Sequence, residues 1–337
     1  MDKAVSEKYP RPLVSMILML VIIWLVPIGA DGAKLYTYKD KNGRTVFTDQ
    51  KPPEEIQYQQ EQLLVTEGRR KVHVVNRGSR EKPRLYIVND YSGPAQVSLF
   101  FNKADNIQFS HRGPFSWVLP AGADRQVLTL QPKVRNRKWS YSYRSKYVPG
   151  APVRGKVVNY EYQLPFREGS FRISQGFRGP RSHGRSRQSY YAIDIAMPEL
   201  TPVVAARAGI IMDSEGDFSR SGWHQDYMDE ANIVRVLHSD GTMAVYAHLA
   251  PDGILVKKGA RVNQGELLAY SGNTGFSSGP HLHFVVQKNN GRELVSIPFR
   301  FQGDNELKKG VYLTSTLAPP ELRRRPSVVI GKGSNNE

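Results

Sequence analysis

Apolar and polar residues alternate in short runs between residues 71 and about 162, and turn-forming residues separate the runs. A period of two is the pattern of strands that bury one face. The number and spacing of the runs predict an Ig-like β-sandwich over residues 69–165. The predicted strands are 72–75, 85–88, 96–101, 116–119, 126–130, 139–143 and 157–162.

A shorter pattern precedes this region. Tyr36 and Tyr38 alternate with polar residues, Asn42-Gly43 is a two-residue turn signal, and an apolar pair follows at 46–47. These features predict a β-hairpin, and the Gln/Glu-rich residues 54–67 are interpreted as a solvated connector. The run KLYTYKDKNGRTVFTDQKPP resembles a small domain of unknown function found at the N-terminus of proteobacterial envelope proteins. We therefore assign residues 34–68 to a small hairpin domain with its connector.

The first 33 residues have the plan of an export signal. Basic residues precede an uncharged apolar run at 13–26, and small residues follow it as far as Ala33. The run is shorter than the roughly 18–20 residues that a spanning helix needs, so a signal peptide is favoured and an uncleaved membrane anchor is the alternative. The sequence predicts an exported protein of the periplasm or cell envelope, which would contact the membrane only if the segment is not cleaved.

After residue 166 the chain changes to glycine-punctuated strands, and six of its eight histidines lie between His183 and His283. In the apolar run 281–286, alternation places His281 and His283 on one strand face. Two such imidazoles can bind a metal together, or divide into one ligand and one acid or base. Asp194 in the apolar run 191–196 is the second signal, because a carboxylate in such a strand must be paired or metal-bound.

His248, in the apolar run 244–249, is the third signal and is predicted to lie on the polar face of a strand. Each signal alone has an ordinary structural explanation: surface histidines, a salt-bridged aspartate, or a histidine with a local partner. The set therefore decides the interpretation. The stretch 304–337, with its Arg-Arg-Arg-Pro run and Gly/Ser/Asn end, is predicted to be a loosely ordered basic tail.

Taken together, these segments resemble the lysostaphin/LytM-type zinc metallopeptidases, which are peptidoglycan endopeptidases. The resemblance covers about 140 residues and implies an antiparallel-sheet catalytic domain over 166–303. The matching segments are RISQGF (172–177), AIDIAMP (192–198), TPVVAARAGII (201–211), ANIVRVLHSDG (231–241), YAHL (246–249) and KKGARVNQGELLAYSGNTGFSSGPHLHF (257–284). It implies that Asp194 and His283 are Zn²⁺ ligands, that His281 is the general base, and that His248 is its partner in the transition state.

The chain departs from the family at the first ligand, which normally lies in an H-x-G-x-D pattern. Tyr190 occupies that position, and its protonated phenol is a poor zinc ligand at neutral pH. We assign His183 as the third ligand because the polar spacer that follows it can loop out. His224 and a metal-free site are the alternatives. Leu200, where the family usually has glycine, is a smaller departure that concerns one turn.

Composition restricts the chemistry further. The absence of cysteine excludes disulfides, thiolate metal sites and cysteine nucleophiles. Of the formal charge of +16, residues 34–165 carry +12, from 23 Lys/Arg against 11 Asp/Glu. Residues 135–147 interleave basic and aromatic side chains, a pattern that is also found on surfaces that bind nucleic acid. Export argues against such a partner. Anionic envelope polymers are the more natural partners of this basic region.

A G-x-S-x-G pattern at 275–279 lacks the helix that must follow a serine nucleophile, because a strand pattern comes next. A serine hydrolase is therefore not favoured.

Taken together, the sequence features predict a zinc endopeptidase that cleaves peptide cross-links of peptidoglycan. One alternative is a catalytically inactive wall-binding activator of another hydrolase, and a second is a binding module whose basic sandwich is the working part. Retention of Asp194, His248, His281 and His283 favours the enzyme.

Overall fold

The structure is a computed structural model that describes residues 71–155, 157–222, 227, 229–303 and 306–316, together with the strands at 34–39, 45–48 and 58–62. Their regular secondary structure is almost entirely β-strand, and one turn of 3-10 helix lies at His183–Arg185. The predicted mainly β class is confirmed. No helix in the described residues is long and apolar enough to cross a membrane. The predicted signal segment lies outside them.

Residues 1–67 form one compact unit, in which the described strands make a three-stranded sheet in the order β2-β1-β3. These strands are β1 Lys34–Lys39, β2 Thr45–Thr48 and β3 Tyr58–Gln62. The antiparallel β1-β2 pair confirms the predicted hairpin strands, while the Asn42-Gly43 turn lies outside the described residues. The interpretation of residues 54–67 as a connector is wrong for β3, which pairs with the other edge of β1. Backbone hydrogen bonding on a free strand edge does not require apolar side chains.

Residues 68–337 form the second compact unit, and its first part contains two sheets in the orders β4-β5-β9-β7 and β10-β6-β8. Buried side chains of both sheets form one common core, which includes Leu85, Val97 and Leu128. The Ig-like connectivity stays a prediction. The strands are β4 Val72–Asn76, β5 Arg84–Asn89, β6 Ala95–Asp105, β7 Ile107–Phe109, β8 Ser116–Leu119, β9 Asp124–Pro132 and β10 Ser140–Pro149.

The predicted strand at 157–162 is wrong for most of its length, because only β11 at Glu161–Tyr162 pairs, in parallel with β23 at Arg300–Phe301. Its side chains join the core of the following sheet instead of the sandwich: Tyr162 packs in that core, and Tyr160 packs against it. The alternating apolar pattern therefore reports burial correctly at Tyr160 and Tyr162 but not at Val158, which is exposed, and it does not report strand pairing.

The larger sheet has the order β19-β15-β16-β17-β21-β13-β12-β24, with β22 paired to β21, and a smaller sheet has the order β14-β20-β18. Their apolar faces share one core that includes Ile193, Tyr246 and Phe284. The strands are β12 Glu168–Gln175, β13 Ala192–Ala196, β14 Pro202–Val204, β15 Gly209–Glu215, β16 Ile233–Leu237, β17 Met243–Ala247, β18 Leu249–Ile254, β19 Arg261–Val262, β20 Leu267–Ser271, β21 His281–Asn289, β22 Leu294–Ser296 and β24 Tyr312–Thr316.

The prediction of a loose tail from residue 304 is wrong for β24, which pairs along the edge of β12. The segment before it also packs closely: the Leu307 carbonyl would lie 2.5 Å from a Cβ added to Gly176. Glycine at 176 is therefore required for this close approach. The rest of the predicted tail lies outside the described residues.

The sandwich packs directly against the larger sheet. Met212 and Met243, from β15 and β17, belong to the sandwich core. Buried Lys71 forms ion pairs with Asp213 and Glu215 at 3.2 and 2.6 Å. The two parts therefore share apolar and polar contacts, and removing one would expose buried surface of the other.

Candidate metal centre and active site

The centre of the larger sheet brings Asp194 and His283 side by side. Strands β13 and β21 are antiparallel, and their register pairs these two residues directly. Ile193 and Leu282, one position away on each strand, are fully buried in the core. Alternation therefore turns the carboxylate and the imidazole to the opposite face, as the sequence predicts.

His183 reaches the same place from the 3-10 turn and is fully buried. Its Nδ1 lies 3.0 Å from the Gly176 carbonyl oxygen and its Nε2 lies 3.1 Å from Asp194 Oδ1. The residues between it and Asp194 loop out and return. The ring of Tyr190 packs against the Arg178 guanidinium, which lies 5.5 Å from the ring centroid. His224 lies outside the described residues.

One nitrogen of His183, one nitrogen of His283 and one oxygen of Asp194 lie within 4.8 Å of one another. His283 Nδ1 is 2.8 Å from Asp194 Oδ1. Donor atoms about 2.0–2.2 Å from a tetrahedral zinc ion are separated by about 3.3–3.6 Å, so a widening of a few tenths of an ångström would admit the ion. Two imidazoles and one carboxylate also leave a coordination position open, as catalytic zinc sites do.

The tautomer of His183 supports this fit. A carbonyl oxygen only accepts, so His183 Nδ1 donates to Gly176, and neutral His183 points a lone pair from Nε2 at the Asp194 carboxylate. Two electron-rich atoms 3.1 Å apart need a proton or a metal ion between them. The donor set therefore fits a divalent cation.

Asp194 is ionised in this setting. Burial alone would raise the pKa of its carboxyl group, but the imidazoles of His183 and His283, each within hydrogen-bond distance of Asp194 Oδ1, hold that pKa well below its usual value. Burial also lowers the pKa of His283, which keeps its imidazole neutral and able to coordinate. The ionised carboxylate of Asp194 and the neutral imidazole of His283 are thus in the charge states that bind a metal ion.

Gln175 orients the carboxylate from the neighbouring strand and was not assigned from the sequence. Its Nε2 donates to Asp194 Oδ2 at 2.8 Å and to Ser182 Oγ at 2.9 Å. Its Oε1 accepts from the Arg181 backbone at 3.2 Å. One buried amide thus links Asp194 to the segment that carries His183, as outer partners of metal ligands commonly do.

His248 does not lie within a strand, and that prediction is wrong. It is the single residue between β17 and β18, with φ of +62°, a conformation that lets the chain turn between strands of two sheets. Its Nδ1 donates to the Thr274 carbonyl at 2.6 Å, so Nε2 carries a lone pair when the ring is neutral. Burial, and then the nearby His281 and His283, lower the pKa of His248 to about 3.

His281 lies beside His248, with ring centroids 4.5 Å apart. Its Nδ1 donates to the Gly279 carbonyl at 2.8 Å, and Ser277 Oγ lies 3.3 Å from the same nitrogen. His281 Nε2 therefore presents a lone pair to the site, 3.8 Å from Asp194 Oδ1. The serine of the G-x-S-x-G pattern thus supports a histidine, and strand β21 follows it, which excludes a nucleophile elbow.

Leu200 occupies the turn where the family usually has glycine. It adopts φ of +63°, and its amide donates to the Ser271 carbonyl at 2.7 Å. The turn is therefore kept without glycine, in a conformation that is uncommon for residues with side chains.

Two segments of the chain match known families. Residues 188–294 match Peptidase family M23, and residues 22–63 match a domain of unknown function, DUF4124. The first range contains Asp194, His248, His281 and His283 and begins after His183. Both resemblances found in the sequence are confirmed.

Several curated proteins are similar over this region. An uncharacterized metalloprotease of Buchnera aphidicola is 32% identical over 126 residues, 37% of this chain and 30% of that protein. Peptidoglycan DD-endopeptidase ShyA of Vibrio cholerae is 33% identical over 35% of this chain and 25% of its own length. Glycyl-glycine endopeptidase ALE-1 of Staphylococcus capitis is 33% identical, over 33% and 28% respectively. The match thus spans about a quarter to three tenths of these relatives.

Solved structures give related matches. The catalytic domain of lysostaphin from Staphylococcus simulans matches 39% of this chain and 88% of its own, with 26% identity and a TM-score of 0.28. A putative peptidase M23 from Pseudomonas aeruginosa matches 66% of this chain and 89% of its own, with 20% identity and a TM-score of 0.29.

Proposed function

We propose that this protein, in which residues 188–294 are a peptidase family M23 domain, is a zinc-dependent endopeptidase that hydrolyses peptide cross-links of peptidoglycan. The observation that carries the proposal is the convergence of His183, Asp194 and His283 beside the imidazoles of His248 and His281. The relatives named as peptidoglycan and glycyl-glycine endopeptidases support the substrate class. That substrate and the export-like N-terminus favour the periplasm or cell envelope.

In this proposal His183, Asp194 and His283 hold the zinc ion. The bound ion would lower the pKa of its water and polarise the scissile carbonyl. Gln175 keeps the Asp194 carboxylate oriented, and the Gly176 carbonyl keeps the Nε2 lone pair of His183 directed into the site. The chain therefore fixes both the charge and the direction of its ligands.

His281 acts as the general base. Its Nδ1–H is held by the Gly279 carbonyl, so its exposed lone pair on Nε2 can accept a proton at the site. His248 has the same tautomer and can donate from Nε2 only after it gains a proton there. Stabilisation of a developing oxyanion by His248 therefore requires that its Nε2 first gain a proton.

The proposal is tested by digesting purified peptidoglycan with the full-length protein and analysing the released fragments by mass spectrometry. We expect fragments with a newly cleaved peptide cross-link, their loss on chelation, and their return on addition of zinc. His281→Ala should reduce the rate of release by about 100-fold or more, while His111→Ala, which changes an exposed histidine of the sandwich, should not. Absence of cleavage by zinc-loaded protein would support the inactive activator instead.

A further inference from the structure

The segment that carries His183, residues 178–187, is strongly basic. It contains four arginines and no acidic residue, and all four are exposed. They are Arg178, Arg181, Arg185 and Arg187. Because arginine stays protonated at all ordinary pH values, this segment brings four positive charges to the edge of the candidate site.

Two of these arginines have partners within the protein. Arg187 forms an ion pair with Glu293 at 2.7 Å, and the Arg178 guanidinium lies over the rings of Tyr190 and Tyr191. Arg181 and Arg185 differ: among the described residues, no carboxylate lies within ion-pair distance of either guanidinium, and neither stacks on an aromatic ring. Their charges are therefore available to a ligand.

Backbone hydrogen bonds tie both arginines to the segment that carries the candidate ligand His183. The Arg181 amide donates to Gln175 Oε1, and Nε2 of the same glutamine donates to Asp194 Oδ2. Arg185 lies in the 3-10 turn with buried His183, and its amide donates to the Ser182 carbonyl at 3.2 Å. One side chain thus separates the Arg181 backbone from the metal-binding carboxylate.

We infer that Arg181 and Arg185 are specificity-determining residues that bind a free carboxylate of the peptide substrate near the scissile bond. A guanidinium donates two parallel hydrogen bonds to a carboxylate and discriminates it from a neutral amide of the same shape. The inference rests on the proposed function and narrows its substrate to acidic peptides. Arg187 is already neutralised and contributes little.

The test uses two soluble cross-linked peptides that differ in one group, a free carboxylate in one and a carboxamide in the other. The readout is the ratio of kcat/KM for the acidic peptide to that for the amide, because the active fraction of each preparation cancels in this ratio. We expect a ratio of about ten for the wild-type enzyme, the scale of one or two exposed charge-assisted hydrogen bonds, and a fall towards one in Arg181→Gln/Arg185→Gln. Arg187→Gln is the matched control and should keep the wild-type ratio.

Salt should reduce the wild-type preference, because exposed charges are screened. A wild-type ratio of one, or an unchanged ratio in the double variant, overturns the inference. If zinc-loaded enzyme cleaves neither peptide, the proposed function fails, and calorimetric binding of the same two peptides then tests the arginines separately. Tighter binding of the acidic peptide that is lost in the double variant would still support their role, and equal binding would refute it.

Discussion

A Gln175→Met variant removes one polar group from behind the proposed zinc ligands. Methionine has nearly the length of glutamine but cannot donate to Asp194 Oδ2, which accepts from Gln175 Nε2 at 2.8 Å. It also cannot bond Ser182 or the Arg181 amide, so the segment before His183 loses its anchor. All three proposed ligands remain in this variant.

The size of the effect follows from burial. Asp194 is 8% exposed, so water replaces the lost donor poorly, and an unsatisfied buried acceptor costs roughly 1–3 kcal/mol. Loss of an outer partner at a metal site commonly weakens binding by about 10- to 100-fold, which corresponds to a similar free energy. We therefore expect the zinc dissociation constant to rise by about 10- to 100-fold.

The dissociation constant is measured by competition with a chromophoric chelator. Gln287→Met is the matched control, because Gln287 is also buried and lies on β21 beyond His283, but bonds Arg235 and the Gln188 carbonyl. The control should lose stability and keep its zinc affinity. A Gln175→Met dissociation constant within about twofold of wild type would refute the reasoning about outer partners.

Other substitutions test separate parts of the account. His281→Ala should retain zinc by elemental analysis and lose about 100-fold or more in turnover, and loss of zinc would contradict its role as base. Burial lowers the pKa of His238 to about 4. The contribution of this neutral histidine to the free energy of unfolding is therefore complete above about pH 6.5 and is lost as the pH falls towards 4. Between pH 7 and pH 4, the free energy of unfolding measured with urea should therefore fall by up to about 3 kcal/mol less in His238→Asn than in wild type. An equal fall in the two proteins would contradict this. Lys71→Met leaves Asp213 buried without its cation and should lower the free energy of unfolding by about 3 kcal/mol. Lys103→Met, which changes an exposed ion pair, should lower it by less than about 1 kcal/mol. Equal effects of the two substitutions would refute this reasoning.

Local sequence patterns predict the strands that carry the site. Ile193 and Leu282 alternate with Asp194 and His283, and burying the apolar pair fixes the direction of the polar pair. This prediction succeeds because both strands lie at the centre of a sheet with one apolar face. The polar spacer after His183 predicts that this histidine can return to Asp194, and in the structure its Nε2 lies 3.1 Å from Asp194 Oδ1, while its role as a ligand stays a prediction.

Features that depend on distant pairing are absent from the local pattern. Gln175 orients Asp194 because a bulged register between β12 and β13 pairs these two residues, and no run of residues encodes that register. His248 was expected in a strand because its neighbours are apolar, but the chain turns there to pass between two sheets. Strands β3 and β24 were missed because edge strands are held by backbone hydrogen bonds that polar sequences form equally well.

The central claim is that His183 provides the third metal ligand, because Tyr190 occupies the position of the usual first ligand. The direct measurement is the zinc content per chain of purified wild-type, His183→Ala and Tyr190→Phe proteins after dialysis against metal-free buffer. We predict one zinc ion in wild type and in Tyr190→Phe and almost none in His183→Ala, because two remaining ligands hold zinc weakly. Full zinc occupancy in His183→Ala, or its loss in Tyr190→Phe, would contradict the account.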